Sequence, residues 1–429
     1  MSAVRHRVLA LLVGLSFVNY LLRNNLSIAM PAIRADFQFT NEQLGWILAS
    51  FSVPYTIFQI PGGLFSDRFG PRRALAILAV AWAVITAITG FVPGIALASA
   101  GGAFAGLLTA RALMGASHAP IYPASAGAIL RWYPPGHWAL PNALLGLGLN
   151  LGQAATGPVV SALIVYSGWR GSFLALAPLG LLAAAAWWLY ARDTPDQHPR
   201  VNAAEREFIR HGRAAQEAAS ASPRAAWRAA LTDPQVLLIT ASYFCMNVVF
   251  LMFSQWLFSY LVEERGFSLL ESGAYYAMPF IVGAAFAVLG GWSCDRACRR
   301  LGPTWGCRLP ATSGLLLVAV FLLLGARASD PVLAVGLLSL CYGFTQFTDS
   351  VYWSAATYAG GEHAAVAGGV VNTGGNVAGF LAPVIGFTID RAGFSTAFAL
   401  GSGFAVLGAL LWFCVRLGSP GVRAVRVAP

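Results

Sequence analysis

Gly63-Leu64-Phe65-Ser66-Asp67-Arg68-Phe69-Gly70-Pro71-Arg72-Arg73 separates two long apolar runs. Its glycines let a helix end turn tightly. Asp67 suits a helix N-terminus or an arginine partner, and Arg72 and Arg73 mark one face of a bilayer. The stretch is not unique in the chain. Gly62-Gly63-Leu64-Phe65-Ser66-Asp67-Arg68 returns as Gly290-Gly291-Trp292-Ser293-Cys294-Asp295-Arg296, 228 residues later. Gly157-Pro158 with Phe173 returns as Ala382-Pro383 with Phe398, 225 residues later. Both offsets are close to half of the 429 residues, which predicts two copies of one unit.

Composition says what surrounds that repeat. Hydrophobic residues make up 57% of the chain and charged residues 10%, with a mean hydropathy of +0.66. A typical soluble domain carries about 25% charged residues, so a soluble multidomain protein is excluded. Six cysteines in 429 residues exclude a disulfide scaffold. About 20 apolar residues cross a bilayer core. Twelve runs qualify, at 8–30, 42–65, 74–94, 100–130, 139–165, 170–191, 235–261, 270–293, 309–326, 331–358, 364–389 and 394–416. The first follows Arg5 and Arg7 but continues through Arg23 to Pro31, unlike a cleaved signal peptide.

The net charge of +10 comes from 27 basic residues, all of them arginine. Aromatic residues lie inside apolar runs rather than beside the arginines, which excludes nucleic acid as a partner. With both termini in the cytoplasm, twenty arginines fall inside, five outside, and two, Arg23 and Arg111, within spans. The expectation is an all-α membrane protein of two six-helix bundles, 1–191 and 235–429, joined by a polar cytoplasmic linker, 192–234. Asn202 and Glu205 form a candidate capping box opening a linker helix through His211. Parallel repeats of this kind place a substrate near the bilayer midplane.

With its repeat, the opening stretch resembles the loop signature of the major facilitator superfamily. Three further stretches resemble the anion:cation symporters, the sugar-acid, phthalate and sialic-acid transporters, within it. They are Asn19-Tyr20-Leu21-Leu22-Arg23-Asn24-Asn25 through Pro31; Arg111 through Gly115, His118, Pro120, Tyr122 and Pro123 to Arg131-Trp132-Tyr133-Pro134; and Trp256 through Tyr260 to Arg265-Gly266-Phe267-Ser268. The resemblance covers nearly the whole chain. It implies secondary transport of a small organic anion, a carboxylate or sugar acid, coupled to a proton (or Na+) by alternating access. It also implies a gating latch at Gly63, Asp67, Arg68, Gly70 and Arg72, with Asp295 and Arg296 as the repeat. No cofactor is expected, and the protein is expected to be a monomer in the cell (inner) membrane.

Charges inside spans cost about 3 kcal/mol on insertion scales, so they face a partner or a cavity. Arg23 can grip a carboxylate bidentately. Arg111 and His118 are seven residues apart, hence on one helix face about 10 Å apart, with Tyr122 one turn further. The symporters carry Glu where this chain has His118, and there the Glu is implied to carry the coupling proton. Gln346, Asp349 and Trp353 share a face of the tenth span, and Asp349 is the one carboxylate read deep in the membrane. It could pair with Arg23 or Arg111, or take the proton itself. Asn19 with Arg23, Tyr55 with Gln59, and Asn372 with Asn376 are polar i, i+4 pairs. Tyr55, Asn150, Ser350, Trp353 and Asn372 stand where the resemblance implies substrate contact; Tyr20 and Asn376 adjoin those positions.

Two other functions compete. A drug/proton antiporter shares the fold, but its fifth helix usually ends Gly-x-x-x-Gly-Pro; here Gly152-x4-Gly157-Pro158 stands instead. A solute sensor would carry an output region, and none is recognisable after Arg416. Cys294, Cys298 and Cys307 lack the common zinc spacings, so no metal site is expected. Neither a P-loop nor a nucleophile elbow nor a zinc-protease motif occurs, which argues against an enzyme.

Overall fold

The computed structural model describes residues 3–95, 100–134, 137–210 and 223–418, and among these all regular structure is helical. Seven helical runs are long and apolar enough to cross a membrane. Three of them are too long to cross only once: Leu269–Arg327 has 59 residues, about 88 Å of helix at 1.5 Å per residue, against a core of about 30 Å. Each long run therefore doubles back, and it does so at one glycine: Gly168 (φ 73°, ψ 170°), Gly302 (φ 77°, ψ 168°) or Gly393 (φ 78°, ψ 171°). Side chains with a Cβ are excluded from that region of backbone space. The runs thus hold ten spans. Asn41–Phe69 and the pair Ala100–His118 and Ile121–Trp132 bring the described spans to twelve.

Spans 1 to 4 are Val4–Phe37, Asn41–Phe69, Pro71–Ile95 and that broken pair. Spans 5 and 6 are the two arms of Ala139–Tyr190 around Gly168. Span 7 is Pro234–Ser259, continued by Tyr260–Glu264. Spans 8 and 9 are the arms of Leu269–Arg327, and span 10 is Pro331–Gly360. Ala364–Asn376, Val377–Leu381 and Ala382–Leu411 supply spans 11 and 12, parted at Gly393.

Gly70, between spans 2 and 3, has the same backbone (φ 81°, ψ 150°) as the three turn glycines. Glycines of one conformation therefore join spans 2–3, 5–6, 8–9 and 11–12. That is a three-span unit used four times, finer than the half-chain repeat visible in the sequence. Pro71 and Pro303 follow two of these glycines, at the first helical position, where a missing N–H costs nothing.

The half-chain repeat also holds in the packing. A Cβ on Gly62 would strike Pro120, and one on Gly290 would strike the Phe347 carbonyl. Gly63 faces Pro123 and Gly291 faces Ser350 at ordinary contact distance. Each partner is shifted by 227 residues, so spans 2 and 4 approach one another as spans 8 and 10 do.

The chain divides into two compact units, residues 1–220 with 267–274 and residues 221–266 with 275–429. The division falls inside the linker. Within the first unit the linker is anchored. Its helix is Ala203–Arg210, and Asn202 Oδ1 accepts from Glu205 N at 2.9 Å; His211 lies outside the described residues. The buried Glu205 carboxylate also reaches the start of span 1. There it accepts from Arg5 N at 3.1 Å and meets Arg5 Nη1 at 3.4 Å. A carboxylate at a helix N-terminus is favoured by the orphan amides and the helix dipole. His198 is held in the same way, its ring between Trp132 and Tyr190 and its Nδ1 accepting from Arg200 N at 3.2 Å.

Candidate functional site

In the first unit, Arg23 of span 1 is ringed by aromatic side chains. Its guanidinium carbon lies 5.2 Å from the Tyr20 ring, 4.5 Å from Phe51 and 5.2 Å from Tyr55. Its Nη1 donates to the Tyr20 hydroxyl at 3.5 Å. Each desolvated cation–π contact contributes about 1–2 kcal/mol, but none neutralises the charge. Among the described residues of this unit no carboxylate pairs with Arg23.

Arg111 of span 4 is 8% exposed. Its Nη1 donates to the Arg23 backbone carbonyl at 2.8 Å, and its guanidinium carbon lies 4.9 Å from the Phe51 ring. Arg111 therefore fixes the backbone that carries Arg23 and adds a second positive charge beside it. The two guanidinium groups bracket Phe51, and no described carboxylate of the unit pairs with Arg111 either.

His118 ends the helix Ala100–His118, two residues before the break at Pro120, and is fully buried. Its Nδ1 lies 2.8 Å from the Met114 carbonyl, so this nitrogen carries the proton. The ring packs on Trp82 at 5.0 Å and Phe51 at 5.7 Å. It thus shares Phe51 with both arginines, and the Asn19 backbone of span 1 borders it. The Tyr122 hydroxyl sits near Tyr20 and Tyr55.

Several buried polar atoms of this unit lack a hydrogen-bond partner: Asn19 Nδ2, Arg111 Nε, His118 Nε2, the Tyr122 hydroxyl and Asn150 Oδ1. The Asn150 amide is half satisfied, its Nδ2 donating to the Gly146 carbonyl at 3.1 Å. Buried polar atoms are normally bonded.

The second unit holds one carboxylate in the matching environment. Asp349 of span 10 accepts from the Tyr243 hydroxyl at 2.9 Å and from Trp353 Nε1 at 3.1 Å. Tyr243 stacks edge-on to Trp353 at 6.2 Å. Among the described residues of this unit no cation pairs with Asp349, so protonating it breaks no ion pair. Gln346 donates to the Tyr342 hydroxyl at 2.7 Å. Asn376 Nδ2 donates to the Asn372 carbonyl at 2.8 Å. Ser350 donates to the Ala287 carbonyl of span 8 at 2.8 Å and so ties two helices.

Sequence reasoning passed over Phe51, Tyr243 and Asn247. Tyr243 and Asn247 form an i, i+4 polar pair in an apolar run, the signal used for Asn19 and Arg23. Phe51 gave no signal, being an apolar ring in an apolar run.

At the latch, Gly70 is required twice over: by its backbone conformation, and because a Cβ there would overlap the Asp193 carboxylate. Asp193 Oδ1 accepts from Arg72 N at 2.9 Å and lies 4.0 Å from Arg131 Nη1. Arg72 donates through Nη2 to the Trp188 carbonyl at 2.8 Å and stacks on that indole at 4.2 Å. Its residues therefore fasten the start of span 3 to the end of span 6. Arg68 lies 5.7 Å from the Phe69 ring and Arg296 5.7 Å from the Trp292 ring. Asp295 is exposed, and the side chain of Asp67 lies outside the described ones.

The segment read as a loop is two helices meeting at Gly302, and this brings Cys307 against Cys294 and Cys298.

Twelve described spans in repeated halves, with charged side chains inside the spans of each, are the architecture of a membrane transporter. Residues 12–383 match the model of the Major Facilitator Superfamily, and the chain belongs to that family. It is 33% identical to a probable sulfoacetate transporter, SauU, of Cupriavidus necator, over 95% of this chain and 92% of that one. It is 29% identical to the hexuronate transporter of Bacillus subtilis, over 92% and 90%. A probable galactarate/D-glucarate transporter, GarP, of Escherichia coli is also 29% identical, over 90% and 88%. The fold matches a crystal structure of a bacterial homolog to the human lysosomal transporter Spinster in an inward-facing, occupied conformation. That match has a TM-score of 0.77 and 16% identity over 97% of each chain.

Proposed function

We propose that this protein is a secondary transporter of a small organic anion, a carboxylate or sugar acid, working as a proton symporter by alternating access. The observation that carries the reading is the Arg23–Arg111 pair inside spans 1 and 4, whose charge no described carboxylate of its unit neutralises. An anion entering there meets a guanidinium fork held by Tyr20, Phe51 and Tyr55, with the Tyr122 hydroxyl close by. Relatives named for sulfoacetate, hexuronate and galactarate/D-glucarate support the same chemistry.

Asp349 is the proton carrier in this reading. Its hydrogen-bond partners are neutral, whereas the His118 ring is packed between Trp82 and Phe51 with its Nδ1 held by the Met114 carbonyl. Trp353, Asn372 and Asn376 provide the second unit's polar surface, and Asn150 that of the first. Gly63, Asp67, Arg68, Gly70 and Arg72, with Asp295 and Arg296, gate the cycle by making and releasing contacts at the span ends. The arginine distribution supports insertion in the cell (inner) membrane with both termini cytoplasmic.

A drug/proton antiporter is the competing reading, and a basic cluster disfavours its cationic substrates. Thermal unfolding of the purified protein separates the two. Hexuronates, aldarates or sulfoacetate at millimolar concentration are expected to raise the midpoint by several degrees, and lipophilic cations to leave it unchanged. Stabilisation by the cations alone would overturn the reading.

A further inference from the structure

Cys294 and Cys298 lie one helical turn apart on span 8, and Cys307 faces them from span 9 across the Gly302 turn. Their sulfurs form a nearly equilateral triangle: 3.9 Å between Cys294 and Cys298, and 3.8 Å from Cys307 to each. Cys294 and Cys307 are fully buried and Cys298 partly so. The two helices are at close approach here, because a Cβ on Gly306 would run into the Cys298 backbone.

The triangle has the dimensions of a metal site. With Zn–S bonds of about 2.3 Å, two thiolates at the tetrahedral angle stand about 3.8 Å apart, and about 4.0 Å in a trigonal plane. The observed edges fit one ion seated on the three sulfurs with no movement of either helix. A disulfide instead needs about 2.05 Å between sulfurs, so any pair would have to turn toward one another. The Ser354 and Tyr358 hydroxyls of span 10 border the thiols and can fill a fourth position. A divalent ion on three thiolates leaves one negative charge, among Arg296, Arg299, Arg300 and Arg308 of the same segment.

We propose that Cys294, Cys298 and Cys307 bind one thiophilic d10 metal ion of the Zn2+ class, clamping spans 8 and 9 at the Gly302 turn. Binding releases the thiol protons to solvent as the thiolates take the ion. Cys294 directly precedes Asp295 and Arg296, the repeat of the latch, so the ion would sit where the second unit's gate lies. The binding site stands whether or not the substrate assignment does.

The test uses the reduced, full-length protein in detergent, with Cd2+ as the spectroscopic probe. A thiolate-to-metal charge-transfer band is expected to saturate at one Cd2+ per chain and to be displaced by Zn2+. Cys294→Ser and Cys307→Ser are each expected to abolish the band and weaken Zn2+ binding by about a hundredfold or more. Cys414→Ser, an exposed position outside the triad, should change neither. Should the serine variants fail to fold, wild-type protein decides: bound Zn2+ should slow maleimide labelling of Cys298, read by peptide mass. A missing band with unchanged labelling overturns the proposal. So does a band that survives in both serine variants, or a disulfide within the triad that leaves no metal bound.

Discussion

Replacing Arg23 with alanine is expected to lower organic-anion uptake by about a hundredfold or more, with little change in thermal stability. Removing one member of a buried charge pair costs about 2–5 kcal/mol, and 2.7 kcal/mol is about a hundredfold. Among the described residues of its unit Arg23 has no anionic partner; it contacts Tyr20, Phe51 and Tyr55. Losing them removes cation–π attraction, but it also removes a desolvated charge, and the two effects oppose each other. Arg23→Lys keeps the charge without the planar fork, and its uptake should fall between wild type and alanine. Uptake by the alanine variant within threefold of wild type would exclude Arg23 as the anion anchor. Measurement in proteoliposomes, at matched protein content, gives the comparison directly.

Asp349→Asn is expected to abolish accumulation driven by a pH gradient while leaving exchange of labelled for unlabelled substrate intact. The carboxylate takes one hydrogen bond on each oxygen, from Tyr243 and from Trp353. Asparagine keeps one acceptor oxygen and much of the shape, but it cannot gain or lose a proton. A cycle that loads the proton there loses its driving force and not its substrate site. His118→Gln, which removes the other titratable group, should keep the response to the gradient. A gradient response retained in Asp349→Asn and lost in His118→Gln would move the proton site to His118.

Much of the fold could be read from the sequence, because bilayer physics writes itself into composition. Twelve apolar runs, arginines sorted to one side and a half-chain repeat all follow from residue types and spacing. The three-span repeat did not, since Gly70, Gly168, Gly302 and Gly393 are four among 46 glycines. Only their backbone angles set them apart. Arg23 and Arg111 in the first unit, and Asp349 in the second, were visible as charges in apolar runs, where the cost of burial makes each one informative. Phe51, which contacts both arginines, is one apolar residue among many. Asp193 and Glu205 were missed as anchors because their partners lie more than a hundred residues away. The closeness of the three cysteines was not legible for a further reason: sequence spacing says nothing about two helices meeting at a glycine.

The most direct test of the central claim is uptake of labelled hexuronate, aldarate or sulfoacetate into proteoliposomes, with and without an inward proton gradient. The account predicts accumulation of at least one of these anions above equilibrium under the gradient, abolished by a protonophore and by Arg23→Ala. Uptake that is absent for every organic anion, or indifferent to both the gradient and Arg23, would contradict it.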